Sequence, residues 1–131
     1  MRAIIDTNVL IRAVVRDHDR QTQIAVQMLR DAEKVVLSTL VLSEMAWVLR
    51  RVYSFSKSDI ALSIRALMNA VNVETNRSAV ESGLKMLDEG GDFADGIIAH
   101  EGQWNGGDAF VTFDKEAAEL LKKQGRAVVL L

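Results

Sequence analysis

The sequence predicts an α/β fold: one three-layer domain over residues 1–131, with a five-stranded parallel sheet flanked by helices. Three observations predict it. Short, β-branched apolar runs alternate with longer stretches whose apolar residues recur at helical spacing. Ser, Thr, Asn or Asp stands at most joints, where a helix start needs a capping oxygen. No proline is present, and no Ser-rich linker divides the chain. Strands that alternate with helices pair in parallel through right-handed crossovers, and helices then cover both faces. The pattern leaves the strand order open.

Arg2-Ala3-Ile4-Ile5-Asp6 reads as a buried strand ending on an acid. Thr7 or Asn8 caps a short helix carrying Val9, Leu10, Ile11, Val14 and Val15. The polar run from Arg16 to Arg20 breaks it. A second helix repeats Ile24, Ala25, Met28, Leu29 and Ala32. Lys34 to Ser38 is a second buried strand. Ser38 or Thr39 caps a helix through about Tyr53, with Leu42, Met45, Ala46, Leu49 and Val52 facing inward. Ser56 and Ser58 precede a helix bearing Ile60, Ala61, Ile64, Leu67 and Met68. Val71 to Glu74 is a third strand, and Asn76 opens a helix that Glu89-Gly90-Gly91 stops. Asp92 starts another, ended near Asn105-Gly106-Gly107. Ala109 to Thr112 is a fourth strand. Glu116 to Lys123 is an amphipathic helix closed by Gly125, and Ala127 to Leu131 a fifth strand.

Composition narrows the chemistry. Sixteen basic residues against 18 acidic ones leave a formal charge of -2, so no global basic field announces nucleic acid. With no cysteine, disulfides, thiolate metal sites and Cys nucleophiles are excluded. Two histidines, His18 and His100, speak against a zinc site and against a His-based ribonuclease mechanism. No stretch approaches the roughly 18 apolar residues of a membrane span. The expected location is the cytoplasm, without membrane association.

The acids carry the functional argument. Asp6 ends the first strand, and Asp114 follows the fourth by two residues; each also suits a helix cap. Glu44 sits in an otherwise apolar helical segment beside Val41 and Val48. Asp92 and Asp95 stand three apart at a helix start, where capping explains one acid but not both. In open α/β sheets, ligands sit at the carboxyl ends of strands. Carboxylates gathered there repel and raise one another's pKa values unless a cation joins them. Oxygen ligands without Cys select Mg²⁺ or Mn²⁺. Such an ion suits hydrolysis of a phosphodiester.

Four segments, Asp6-Thr7-Asn8-Val9-Leu10, Ser38 to Glu44, Asp92 to Ala99, and Val111-Thr112-Phe113-Asp114, together resemble the PIN domain. More narrowly, the chain resembles a VapC-type ribonuclease toxin of a type II toxin–antitoxin system. The resemblance implies a PIN-like sheet of five parallel strands and a Mg²⁺- or Mn²⁺-dependent endoribonuclease. It makes Asp6, Glu44, Asp95 and Asp114 the catalytic, metal-holding quartet, with Asp6 and Asp95 as direct ligands. Asp92 is an auxiliary acid, and Thr7, Asn8 and Thr112 orient carboxylates or water. It also implies a homodimer, or a hetero-oligomer with a cognate VapB-like antitoxin whose tail blocks the acidic groove with a cation. Two departures stand out. The segment before Glu44 lacks a proline, and Gly96 stands where alanine is usual, which is expected to loosen that helix start by up to about 1 kcal/mol.

RNA binding requires positive charge near the acids. Lys115 and Arg12 are the candidate phosphate contacts, with Arg16, Arg20, Arg50 and Arg51 as further basic residues; a solvated basic face is the plain alternative. Trp47, Tyr53 and Phe55 are candidates for a dimer or antitoxin surface, against core packing. Two rival functions remain. One is a PIN fold that binds without cleaving, which loss of a quartet acid would have suggested. The other is a phospho-accepting receiver module, which would not need Glu44 and usually pairs acids directly after its first strand.

Overall fold

Most helices in this protein begin where a side chain accepts a free N–H of the first turn. The computed structural model describes residues 1–131 and contains seven helices and five strands in alternation. The chain divides into two compact units, Met1–Asn76 and Arg77–Leu131.

The first unit runs β1 (Arg2–Ile4), α1 (Thr7–Val15), α2 (Asp19–Asp31), β2 (Lys34–Val36), α3 (Thr39–Arg51), α4 (Lys57–Asn69) and β3 (Val73–Glu74). Its strands pair in parallel in the order β1-β2-β3. The register sets Ala3 against Val35 and Val35 against Val73, so three buried side chains line one face. Ser38 caps α3 by accepting from the Val41 amide, and Ser56 caps α4 by accepting from that of Asp59. His18 caps α2 through Nδ1, a structural role. Leu10, Leu42, Met45, Leu49, Ile60 and Ile64 are fully enclosed. Each contributes about 1.5–3 kcal/mol through apolar burial.

The second unit runs α5 (Arg77–Asp88), α6 (Phe93–Trp104), β4 (Phe110–Thr112), α7 (Lys115–Lys123) and β5 (Val128–Leu130). β4 pairs with β5 in parallel, Phe110 opposite Val128. Met86, Ala99 and Leu121 form its core, with Phe110, Leu120 and Val128 packed against them. Helices α5 and α6 approach closely because two glycines lie between them. A Cβ on Gly96 would stand 2.3 Å from the Ser82 carbonyl oxygen, and one on Gly83 would stand 2.6 Å from the Phe93 ring. Glycine at 96 therefore admits the neighbouring helix, and the expected loosening is outweighed by this contact.

Several expectations are corrected. The strands do not form a single five-stranded sheet: one sheet has three strands and the other two. Each strand has only two or three residues, so an apolar run marks a strand while offering too few ladder bonds to specify its partners. β1 is half-buried, since Ile4 is 89% exposed. Val71 lies in a turn before β3 and is solvent-exposed. Val52, expected to face inward, is exposed just past the end of α3, and of the apolar residues repeating along α2, Ile24 and Met28 are exposed while Ala25 takes the core face. The α1 cap is Asp6, not Thr7 or Asn8, because its carboxylate accepts from the Thr7 amide. No helix is long and apolar enough to cross a membrane.

Candidate functional site

In the first unit the site is built around Thr7. Asp6 follows β1 in extended conformation, and its Oδ1 accepts from the Thr7 N–H at 2.9 Å. The Thr7 side chain is buried, and its hydroxyl donates to Glu44 Oε2 at 2.7 Å. One residue thus holds both acids, through its amide and its hydroxyl. Glu44 is itself exposed, projecting from α3 while Val41 on the preceding turn is buried. Asn8 is exposed on the first turn of α1. Arg12 is already engaged: it donates to Gln21 Oε1 at 2.7 Å and pairs with Asp17 at 3.2 Å.

In the second unit Asp114 is likewise met by backbone amides, whereas Asp92 is not. Asp92 is the N-cap of α6 but makes no side-chain capping bond. Asp95, one turn later, is half-buried, and its carboxyl is pushed above the ordinary aspartate range. Burial is the largest cause; the negative charges of Asp92 and then Asp114 add to it. Asp114 caps α7, accepting from the amides of Glu116 at 2.9 Å and Ala117 at 3.1 Å. Thr112 fixes that turn, its Oγ1 accepting from the Asp114 N–H at 2.9 Å. Lys115 opens α7 and is exposed.

The structure thus brings Asp6 and Glu44 together through Thr7, and Asp95 within electrostatic reach of Asp92 and Asp114. Asp6 and Asp114 are both helix caps, as their positions also allow. The donor set suits a hard cation: it is made of carboxylate and hydroxyl oxygens. Neither unit by itself draws three His, Asp or Glu side chains close enough to hold a metal ion.

Three side chains escaped the sequence reading. The Thr75 hydroxyl, just past β3, is buried without a hydrogen-bond partner. A threonine following a strand was the available signal, shared with Thr112 at the end of β4. Lys85 and Arg126 line a cleft in the second unit, on α5 and before β5. Their spacing in sequence, 41 positions apart by their numbers, gave no motif.

The family model of the PIN domain matches residues 3–123, nearly the whole chain. No curated protein matches the sequence.

Proposed function

Because this chain belongs to the PIN domain family, a superfamily of nucleases, we propose that it is a Mg²⁺- or Mn²⁺-dependent endoribonuclease. In this reading it is a VapC-type toxin, held in check by a VapB-like antitoxin and working as a homodimer or as a hetero-oligomer with that antitoxin. The observation that carries the reading is Asp95. A half-buried carboxyl, unfavourably placed beside Asp92 and Asp114, is costly unless a cation offsets its charge.

Asp6, Glu44, Asp95 and Asp114 take the metal-holding role, with Asp6 and Asp95 as direct ligands. A divalent ion held by these carboxylates would supply Lewis acidity for phosphodiester hydrolysis. The chain's own residues set the geometry. Thr7 fixes the Asp6 and Glu44 carboxylates from one point. Thr112 and the first turn of α7 fix Asp114. Asp92 adds negative charge, strengthening attraction for a cation. Lys115, exposed beside Asp114, is a phosphate contact. The antitoxin would present a cation to the carboxylates, for which charge-assisted bonding is the expected chemistry. Trp47, 62% exposed on α3, is an anchor for the antitoxin or for a second copy.

A second reading, a PIN fold that binds without cleaving, is favoured by one observation: neither unit alone assembles three metal-holding side chains. Mapping of new RNA 5′ ends separates the two. Total cellular RNA is incubated with purified protein and Mn²⁺ or Mg²⁺, wild type beside Asp95→Asn. Discrete cuts present in wild type and absent in the variant support the nuclease. Folded, antitoxin-free wild type that makes no cuts with either ion supports the binding module.

A further inference from the structure

A cleft of about 950 Å³ opens in the second unit among α5, the C-terminal half of α6, and the turns leading into β4 and β5. That volume lies at the upper end of ordinary ligand pockets. Two cations line it, Lys85 and Arg126, against one acid, Asp108. Neither cation belongs to an ion pair. The chain as a whole carries a formal charge of -2, whereas the lining of this cleft is net positive.

Arg126 is fixed without being neutralised. Its guanidinium donates to Gln103 Oε1 at 2.7 Å and to Ser82 Oγ at 3.2 Å, and Ser82 is in turn 3.2 Å from His100 Nδ1. Its two partners, and His100 behind Ser82, lack a formal negative charge, so the side chain is oriented while its charge stays available. Lys85 is exposed and supplies a mobile ammonium. The cleft also has an apolar lining that includes half-buried Phe110 and Ile98, the latter 57% exposed. Ordered and mobile cations beside apolar surface fit a strand whose phosphates are charged and whose bases are unpaired.

We infer that this cleft binds single-stranded RNA, with Lys85 and Arg126 on phosphates and Phe110 and Ile98 against bases. The inference rests on the nuclease reading and names where its substrate is held. Val111 lines the cleft, and Asp114 follows it by three residues, at most about 11 Å of extended chain. Asp114 therefore lies within about 11 Å of a residue that lines the cleft.

The test uses the full chain with a fluorescently labelled single-stranded RNA oligonucleotide in EDTA, which prevents cleavage. Anisotropy is followed across salt concentrations. Lys85→Glu and Arg126→Gln are each expected to weaken binding severalfold and to lower the log–log salt slope by about 0.7 per lost phosphate contact. Lys122→Ala, on an exposed residue outside the cleft, is expected to match wild type. Lys85 is exposed, so Lys85→Glu keeps the test open if Arg126→Gln fails to fold. Unchanged affinity and slope in folded Lys85→Glu overturn the inference, and do so while leaving the nuclease standing if wild type still cuts RNA. An acidic peptide whose binding depends on Lys85 when RNA binding does not also overturns it, assigning the cleft to a protein partner. Lys85-dependent RNA binding by a wild type that never cuts supports the cleft and removes the nuclease reading.

Discussion

In the first unit, Asp6 and Glu44 each accept a hydrogen bond from Thr7, and both carboxylates are exposed to water. In the second, Asp95 is half-buried among like charges, and its neighbour Asp92 makes no capping bond. The same residue types thus serve two physical ends. Donors that meet a carboxylate stabilise its ionised form and hold it in place. Burial beside other carboxylates does the reverse. The comparison teaches that Thr7 secures the geometry of two carboxylates, whereas the setting of Asp95 disfavours its ionised form.

The largest expected effect breaks the comparison at Asp95. Asp95→Asn is nearly isosteric and should lower RNA cleavage about 100-fold or more, a loss typical of a group acting directly on the reaction. Thr7→Ala should cost less, because Asp6 and Glu44 remain present; Thr7→Ser, which keeps the hydroxyl, should recover most of the activity. Single-turnover rates of the three variants check the order.

Gly96→Ala comes next and acts on stability. Helix propensity alone favours alanine by about 1 kcal/mol. The added Cβ would meet the Ser82 carbonyl oxygen, and forced overpacking costs about 1–3 kcal/mol. The net expectation is a lower denaturant midpoint, checked by urea unfolding. Thr7→Ala should destabilise by about 1 kcal/mol through its lost hydrogen bond to Glu44, by the same measurement.

The smallest effect sharpens the contrast in charge. The Asp95 carboxyl holds its proton more tightly in the folded state than in the unfolded chain. Its favourable contribution is therefore present below the unfolded value, near pH 4, and is lost as pH rises through the raised folded value. Asp95→Asn should melt higher than metal-free wild type at neutral pH, and the gap should close as pH approaches 4. Thermal melts across that range check it.

Local features were the most legible in the sequence. Ser38 and Ser56 cap helices because their hydroxyls reach free amides within one turn, a short-range rule that needs no tertiary context. Helix faces were partly legible: Leu42, Met45 and Leu49 are enclosed, yet Val52 at the same helix's end is exposed because nothing in periodicity reports where packing stops. Strand partnership was not legible, since three residues carry no register signal. At the site, the acids were visible as residue types at strand ends and helix starts. The Thr7 hydroxyl bond to Glu44 links positions 37 apart, and the Arg126 bond to Ser82 links positions 44 apart. Such pairings follow from tertiary packing and leave no local pattern.

Mn²⁺ binding to metal-free protein, followed by electron paramagnetic resonance, tests the central claim most directly. Saturable binding is expected in wild type, with its loss in Asp95→Asn and weakened binding in Thr7→Ala. Equal binding by wild type and Asp95→Asn, or none by folded wild type, would contradict it.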